Sequence, residues 1–485
     1  MDIANFLPSS SEYVRVLPEI ILTLVAVLIM FLEAVLNDDQ KGIFAPLSIL
    51  GLAGAGVGAV MAYGDPGPAF QNMVVVDGFA TFFRVLVIGV GILVVFSSTD
   101  YLKREHSPGG EYYALILFSI VGQSIMASAN ELIMIFIGLE ISSIASYILA
   151  GYLRNDPRNN ESALKYFLLG SFATAFLLYG VAWIYGTTGS TNLTVIRGAL
   201  LTTSGPMTLA TVAAALMFVG FAFKISAVPF QSWAPDVYQG APAPVSAFLS
   251  VGPKAAAFAV LLRVFLTAFG PIASAWVPLV WGVALATMTV GNFAAILQSN
   301  VKRLLAYSSI AHAGYVLVAV TAHSGDGSAA AMFYLAAYAL TNIGAFAVVA
   351  YFSRKGEQYV RVDDFAGLAQ RQPAMAAMMT IFMLSLIGVP LTGGFFGKFY
   401  IFKAALDAHL VWLTVLGLLN SAVAAYYYLR ILVVMYFKEP GEAAENLPNP
   451  GAALRIAVYA SALGVLLLGI FPGWVLDFAS KAALR

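Results

Sequence analysis

Fourteen apolar runs, most of them about twenty residues or longer, occupy almost the whole chain, and that feature decides the fold class. A helix rises ~1.5 Å per residue, so about twenty apolar residues cross the ~30 Å hydrocarbon core of a bilayer. Within that core every backbone N–H and C=O needs an internal partner, which helices supply within themselves. The runs are 16–36, 43–63, 72–98, 111–129, 131–152, 164–186, 207–228, 242–268, 274–297, 301–322, 328–352, 374–404, 409–437 and 453–475. They predict an all-α, polytopic membrane protein with about 14 transmembrane helices. The start, MDIANFLPSSSEYVRVLPEI, lacks the basic opening and small-residue cleavage site of a removable leader, so the first run is expected to be retained.

Composition excludes several function classes. The 485 residues are 60% hydrophobic and 10% charged, which leaves no length for a separate soluble domain. With 25 basic and 25 acidic residues and no basic block, nucleic acid is not an expected partner. Cysteine is absent, which removes disulfides, thiolate-held iron–sulfur clusters and cysteine catalysis together. No glycine-rich loop ends in Lys-Ser/Thr to cradle phosphate; GDPG at 64–67 reads as a turn. No cofactor or metal is expected in this chain, so electron chemistry belongs elsewhere.

The basic residues test the span count. Arg84, Lys224, Lys254, Arg263, Lys398 and Arg430 fall within runs, and Arg15, Arg197, Lys403, Lys481 and Arg485 lie at one edge. The other fourteen fall at the opposite edge, on the connections from first to second run, third to fourth, and so on. Cytoplasmic connections carry the excess of Lys and Arg, so that edge reads as cytoplasmic and both termini as outside.

Two spans are interrupted. FAFKISAVPF (221–230) places Pro229 shortly after Lys224, and SLIGVPLTGGFFGKF (385–399) places Pro390, Gly393 and Gly394 before Lys398. Proline removes a backbone donor and glycine permits non-helical geometry. Such breaks survive at membrane depth only inside protein or beside a polar cavity. They fall five spans apart, in the seventh and twelfth, and an odd offset reverses the direction of travel. The pattern predicts two inverted five-helix repeats: 1–110 for spans one to three, 111–270 and 271–440 for the repeats, and 441–485 for the last span.

Four ionisable groups sit too deep to be span ends. Glu140 lies about 13 Å into its run and Lys254 about 18 Å into its own, both near the midplane. Lys224 and Lys398 flank the two breaks. A charge at bilayer centre costs at least ~2.5–3.5 kcal/mol and usually lines a polar pathway. Burial disfavours an ammonium and a nearby carboxylate restores it, so a row of such groups can pass protons and electrostatic pushes. The order suggested is Glu140 and Lys224, then Lys254, then Lys398. His312, within NVKRLLAYSSIAHAGY (300–315), is either a further relay group or a packing histidine. Glu33 and Arg263, near span ends, read as snorkelling residues. Arg84 and Asp77 read as a structural pair, Lys302 and Arg303 as topology anchors, and Asp236 as a tie in the loop after the seventh break or a proton-uptake group. The competing account of the deep charges is that each is a static helix–helix tie.

KISAVPFQSWAPDVYQGAPAPVSAFLS (224–250), NVKRLLAYSSIAHAGY and GVPLTGGFFGKFYIF (388–402) closely resemble motifs of the antiporter-like, proton-translocating membrane subunits of respiratory complex I. DVYQGAPAPVS (236–246) is more similar to the N type than to the L or M types. The resemblance implies a coupled glutamate–lysine pair at Glu140 and Lys224, a central relay at Lys254 and a terminal group at Lys398. It also implies that flavin, clusters and quinone chemistry lie in a hydrophilic redox arm reached indirectly. The immediate partners would be other membrane subunits, lipid, water and protons, in a bacterial inner membrane. The reading is therefore a subunit that moves protons outward. Its rivals are a subunit of a multisubunit cation/proton antiporter and a non-pumping structural subunit.

Overall fold

The computed structural model describes residues 8–107, 109–202, 207–445 and 447–484. The spans are α1 (Leu17–Val35), α2 (Phe44–Tyr63), α3 (Gly78–Arg104), α4 (Gly110–Ser128), α5 (Leu132–Ala150), α6 (Pro157–Thr188) and α7 (Thr208–Ile225). A short α8 (Trp233–Gly240) follows, then α9 (Ala243–Arg263), α10 (Ala273–Ile296), α11 (Val301–Thr321) and α12 (Gly325–Phe352). The twelfth crossing is split into α13 (Pro373–Ile387) and α14 (Gly393–Asp407), and α15 (Val411–Phe437) and α16 (Ala452–Ile470) complete the set. Among the described residues, 13 helices are long and apolar enough to cross a membrane by themselves. The split pair, 15 residues each, supplies the fourteenth crossing.

Connections alternate between two edges, as the charge pattern requires. At the Arg/Lys-rich edge, Arg158 reaches Gly356 O, Gly356 N donates to Glu105, Arg303 and Lys165 meet Asp236, and Lys438 meets Asp363. At the opposite edge, Arg15 bonds Asp65 and Pro68 O, Asn130 N donates to Met73 O, and Leu484 N donates to Ser328. The division of the fourth and fifth runs at Asn130 holds, because its backbone is bonded to neighbouring loops instead of continuing a helix: its carbonyl accepts from Leu193 N. Sequence periodicity missed a hairpin pairing Gly67–Ala69 with Val74–Val76, and the short helices Leu193–Thr202 and Gly473–Ala482. These elements are short and carry few periods, so they leave no strong pattern.

The two breaks end their helices in the same way. Ser226, at φ 61°, closes α7 with Ser226 N donating to Phe223 O and Ala227 N to Ala222 O. Gly388, at φ 91°, closes α13 with Gly388 N donating to Ser385 O and Val389 N to Leu384 O. Both are Schellman caps, which satisfy carbonyls left open where a helix stops. Since the connections alternate, the seventh and twelfth crossings run in opposite directions.

Close packing comes from small residues. A Cβ on Gly122 of α4 would lie 2.4 Å from Gly138 O of α5, so only glycine lets these backbones approach so closely. Every residue of α9 is buried, and α11 and α12 are buried nearly throughout. Lys254 therefore sits on a helix with no lipid-facing side.

Several charges are placed differently from the sequence expectation. Arg84 and Asp77 do not pair. Arg84 meets Glu19 at 2.8 Å, and Asp77 meets Arg263 at 2.9 Å. Arg263 is 5% exposed, so it does not snorkel. Glu33 is likewise tied, to Lys41 at 2.6 Å and to Gly110 N at 2.6 Å. Lys302 is more than an edge anchor: it is fully buried and meets Glu357 at 2.5 Å. Glu357 also accepts from Tyr101 and from Ala243 N at the start of α9. For Arg84, Arg263 and Lys302 the partner is remote in sequence, which a one-dimensional reading of span ends does not reveal.

Candidate functional site

α5 carries Glu140 and Tyr147 two helical turns apart, and so on one face. The opposing face of α6 carries Tyr166, Gly170 and Thr174. Thr174 Oγ1 donates to Glu140 at 3.0 Å. A Cβ at Gly170 would lie 2.1 Å from the Tyr147 hydroxyl, so the glycine makes room for it. That hydroxyl accepts from Lys224 Nζ at 3.3 Å. Glu140 and Lys224 do not form a direct ion pair; Lys224 bonds Tyr147 and Glu140 bonds Thr174. Lys224 lies in the last turn of α7, against the negative end of that helix, with the Tyr147 and Tyr166 rings 5.0 and 5.3 Å from its Nζ.

α8 begins beyond the break. Its Asp236 is held by Lys165 at 2.7 Å and Arg303 at 2.6 Å. Burial pushes the Asp236 carboxyl up, but the bonds from Lys165 and Arg303 outweigh it and keep it below the ordinary carboxylate value. This is a three-way tie among α6, α8 and α11, one of the two roles the sequence left open for Asp236.

Lys254 Nζ donates to Ser309 Oγ at 2.5 Å and faces the Tyr238 ring at 5.7 Å. Ser309 belongs to α11, which places Ser309, His312 and Tyr315 three residues apart, on one side of the helix. His312 shares hydrogen bonds with Tyr334 at Nδ1 (2.6 Å) and with Tyr428 at Nε2 (3.1 Å), and stacks on Tyr338. The Tyr315 hydroxyl accepts from Asn292, which in turn accepts from Tyr427. Tyr315 lies edge-on to His312, and its ring is 5.0 Å from Lys398 Nζ. One helix therefore spans from Lys254 to Lys398, with His312 between them.

Lys398 uses the second break. Its Nζ donates to Leu386 O at 2.9 Å, Ile387 O at 2.8 Å and Ser421 Oγ at 2.7 Å. The two carbonyls end α13 and have no intrahelical donor, so the break itself creates the lysine's acceptors. A Cβ on Gly388 would press on Lys398 Cδ at 3.1 Å.

Buried cations fall into two groups. Arg84, Arg263 and Lys302 each hold a carboxylate at 2.5–2.9 Å. Lys224, Lys254 and Lys398 are buried too, but their polar partners are hydroxyls and carbonyls, with no carboxylate oxygen within 4.0 Å among the described residues. Sequence reasoning found the second group and missed what surrounds it: Tyr147, Tyr166, Tyr238, Ser309, Tyr315 and Ser421. The three-residue spacing within SSIAHAGY was the available signal for Ser309 and Tyr315.

Residues 129–424 match the family model described as NADH:quinone oxidoreductase/Mrp antiporter, TM. The chain is 66% identical over 472 residues to "NADH-quinone oxidoreductase subunit N 1" of Solibacter usitatus, covering 97% of each chain. It is 46% identical to subunit N of Trichlorobacter lovleyi, covering 96% of each. A chain in the structure of respiratory complex I from Thermus thermophilus superposes with a TM-score of 0.82 at 35% identity, covering 96% of this chain and 100% of that one. The chain belongs to the NADH:quinone oxidoreductase/Mrp antiporter membrane family and, within it, to the subunit N group of the NADH-quinone oxidoreductases.

Proposed function

We propose that this chain is the proton-translocating N-type subunit in the membrane arm of a bacterial NADH:quinone oxidoreductase, driven by redox chemistry in partner subunits. It takes no part in electron transfer itself and needs no cofactor of its own. The edge rich in Lys and Arg faces the cytoplasm, both termini lie outside, and protons move outward. The path runs from Glu140 through Tyr147 to Lys224, then to Lys254, and by Ser309, His312 and Tyr315 to Lys398.

The observation that carries this reading is the contrast between the two groups of buried cations. A lysine bound to a carboxylate cannot shed its proton without stranding a buried anion, which costs several kcal/mol. A lysine held by hydroxyls and carbonyls sheds it and leaves a neutral, still hydrogen-bonded site. Lys224, Lys254 and Lys398 are of the second kind, and static clamps have no need of that arrangement. Glu140, hydrogen-bonded to Thr174 and set on the same helix face as the Tyr147 that bonds Lys224, acts on the lysine electrostatically as partner subunits shift.

The test is Lys224→Ala and Lys254→Met in the assembled complex, in inverted membrane vesicles. NADH:ferricyanide activity reports assembly, and proton uptake into the vesicles reports pumping. Assembly retained with pumping lost supports the relay; full pumping in both variants refutes it.

A further inference from the structure

α8 is eight residues long, yet one of its rings faces Lys254 and another stacks on a ring that faces Lys224. Trp233 stacks on Tyr166 with centroids 4.4 Å apart and planes at 6°, and Tyr166 in turn faces Lys224. Trp233 Nε1 donates to Phe223 O at 3.0 Å, the carbonyl of the residue preceding Lys224. At the other end of α8, Tyr238 meets Trp233 edge-on at 5.9 Å and faces Lys254. All three rings are buried.

The sequence around Lys254 explains why Tyr238 stands there. Pro253, inside α9, has no N–H to offer, so Leu249 O loses its intrahelical donor. The Tyr238 hydroxyl donates to that carbonyl at 3.1 Å. Proline and lysine are neighbours in the chain, so the residue that frees the carbonyl also fixes where the ring meets the ammonium. An aromatic face attracts an ammonium through its quadrupole, most strongly where water is excluded. Among the described residues Lys254 has Ser309 for its hydrogen bonds and no carboxylate oxygen within 4.0 Å, so the ring face is an attractive partner for its charge.

We infer that Tyr238 is a positioning residue for Lys254, and that the Tyr166–Trp233–Tyr238 ladder makes α8 the element coupling Lys224 to Lys254. When Lys254 loses its charge, the attraction holding Tyr238 over it disappears. Because Tyr238 and Trp233 share one short helix, the displacement reaches the Tyr166 stack and hence Lys224. This rests on the relay reading above.

The experiment compares Tyr238→Phe, Tyr238→Leu and a mono-, di- and trifluorophenylalanine series at position 238, all in the assembled complex. Fluorine withdraws charge from the ring face while nearly preserving its shape. Protons moved per NADH oxidised is read alongside NADH:ferricyanide activity, which reports assembly. The expected result is a stepwise fall along the fluorinated series and a loss of about tenfold from Phe to Leu. A flat fluorinated series overturns the inference, as does a Leu variant that pumps as well as Phe. Lys254→Met separates the two readings: if it pumps fully, the relay itself fails. If it is inactive while the fluorinated series is flat, only the role of the ring fails.

Discussion

Lys254 donates to the Ser309 hydroxyl at 2.5 Å, one helical turn before His312 on the same helix. Ser309→Ala removes that acceptor and leaves the ammonium without its shortest bond. A hydrogen bond to a charged group contributes about 1.5–3 kcal/mol, so proton-coupled quinone reduction should fall about tenfold or more. Ser309→Thr should restore most of the rate. Equal losses in both variants would show that packing, not the hydroxyl, governs this position.

The Glu19–Arg84 pair ties α1 to α3 deep in the structure. Arg84→Met alone leaves a buried carboxylate unpaired and should cost about 3–5 kcal/mol of stability. The double variant Glu19→Leu with Arg84→Met should recover most of that loss. Thermal unfolding in detergent measures both, and pumping in the double variant should match the parent, because neither residue lies on the relay.

Gly388 combines a left-handed backbone with contact against Lys398. Gly388→Ala strains that backbone by about 1–2 kcal/mol and presses on the lysine stem. Pumping should drop more than assembly does. An equal change in NADH:ferricyanide activity would assign the effect to folding.

Asp236 predicts a pH dependence with a definite sign. Its carboxyl lies below the ordinary value in the folded protein, so the tie to Lys165 and Arg303 stabilises at pH values above the unfolded carboxyl value, ~3.9, and is lost as pH falls through the folded one. The tie is partly exposed, so its contribution is about 1 kcal/mol. Asp236→Asn should therefore unfold at lower temperature at pH 7, and its difference from the parent should shrink as pH falls below the ordinary carboxyl value, ~3.9. A difference that persists or grows in acid would contradict the assignment.

How much of this was legible in the chain differs from residue to residue. The spans, the two breaks and the edge bias of Lys and Arg all follow from the cost of exposing charge or unpaired backbone to hydrocarbon, a cost paid locally in sequence. The same logic marked Lys224, Lys254, Lys398 and Glu140. It failed for Arg263 and Lys302, whose positions near span ends suggested solvent but whose helices are covered by others. It also mispaired Arg84 with Asp77, since sharing a helix says nothing about which distant helix supplies a partner.

The amino-acid order thus determined that the chain lies in a bilayer, where its helices stop, and which buried groups carry charge. Tertiary packing alone decided which of those charges meet a carboxylate and which meet only hydroxyls, carbonyls and tyrosine rings. The reason is physical: desolvation depends on the residue and its depth, whereas compensation depends on what a neighbouring helix presents across a few ångströms.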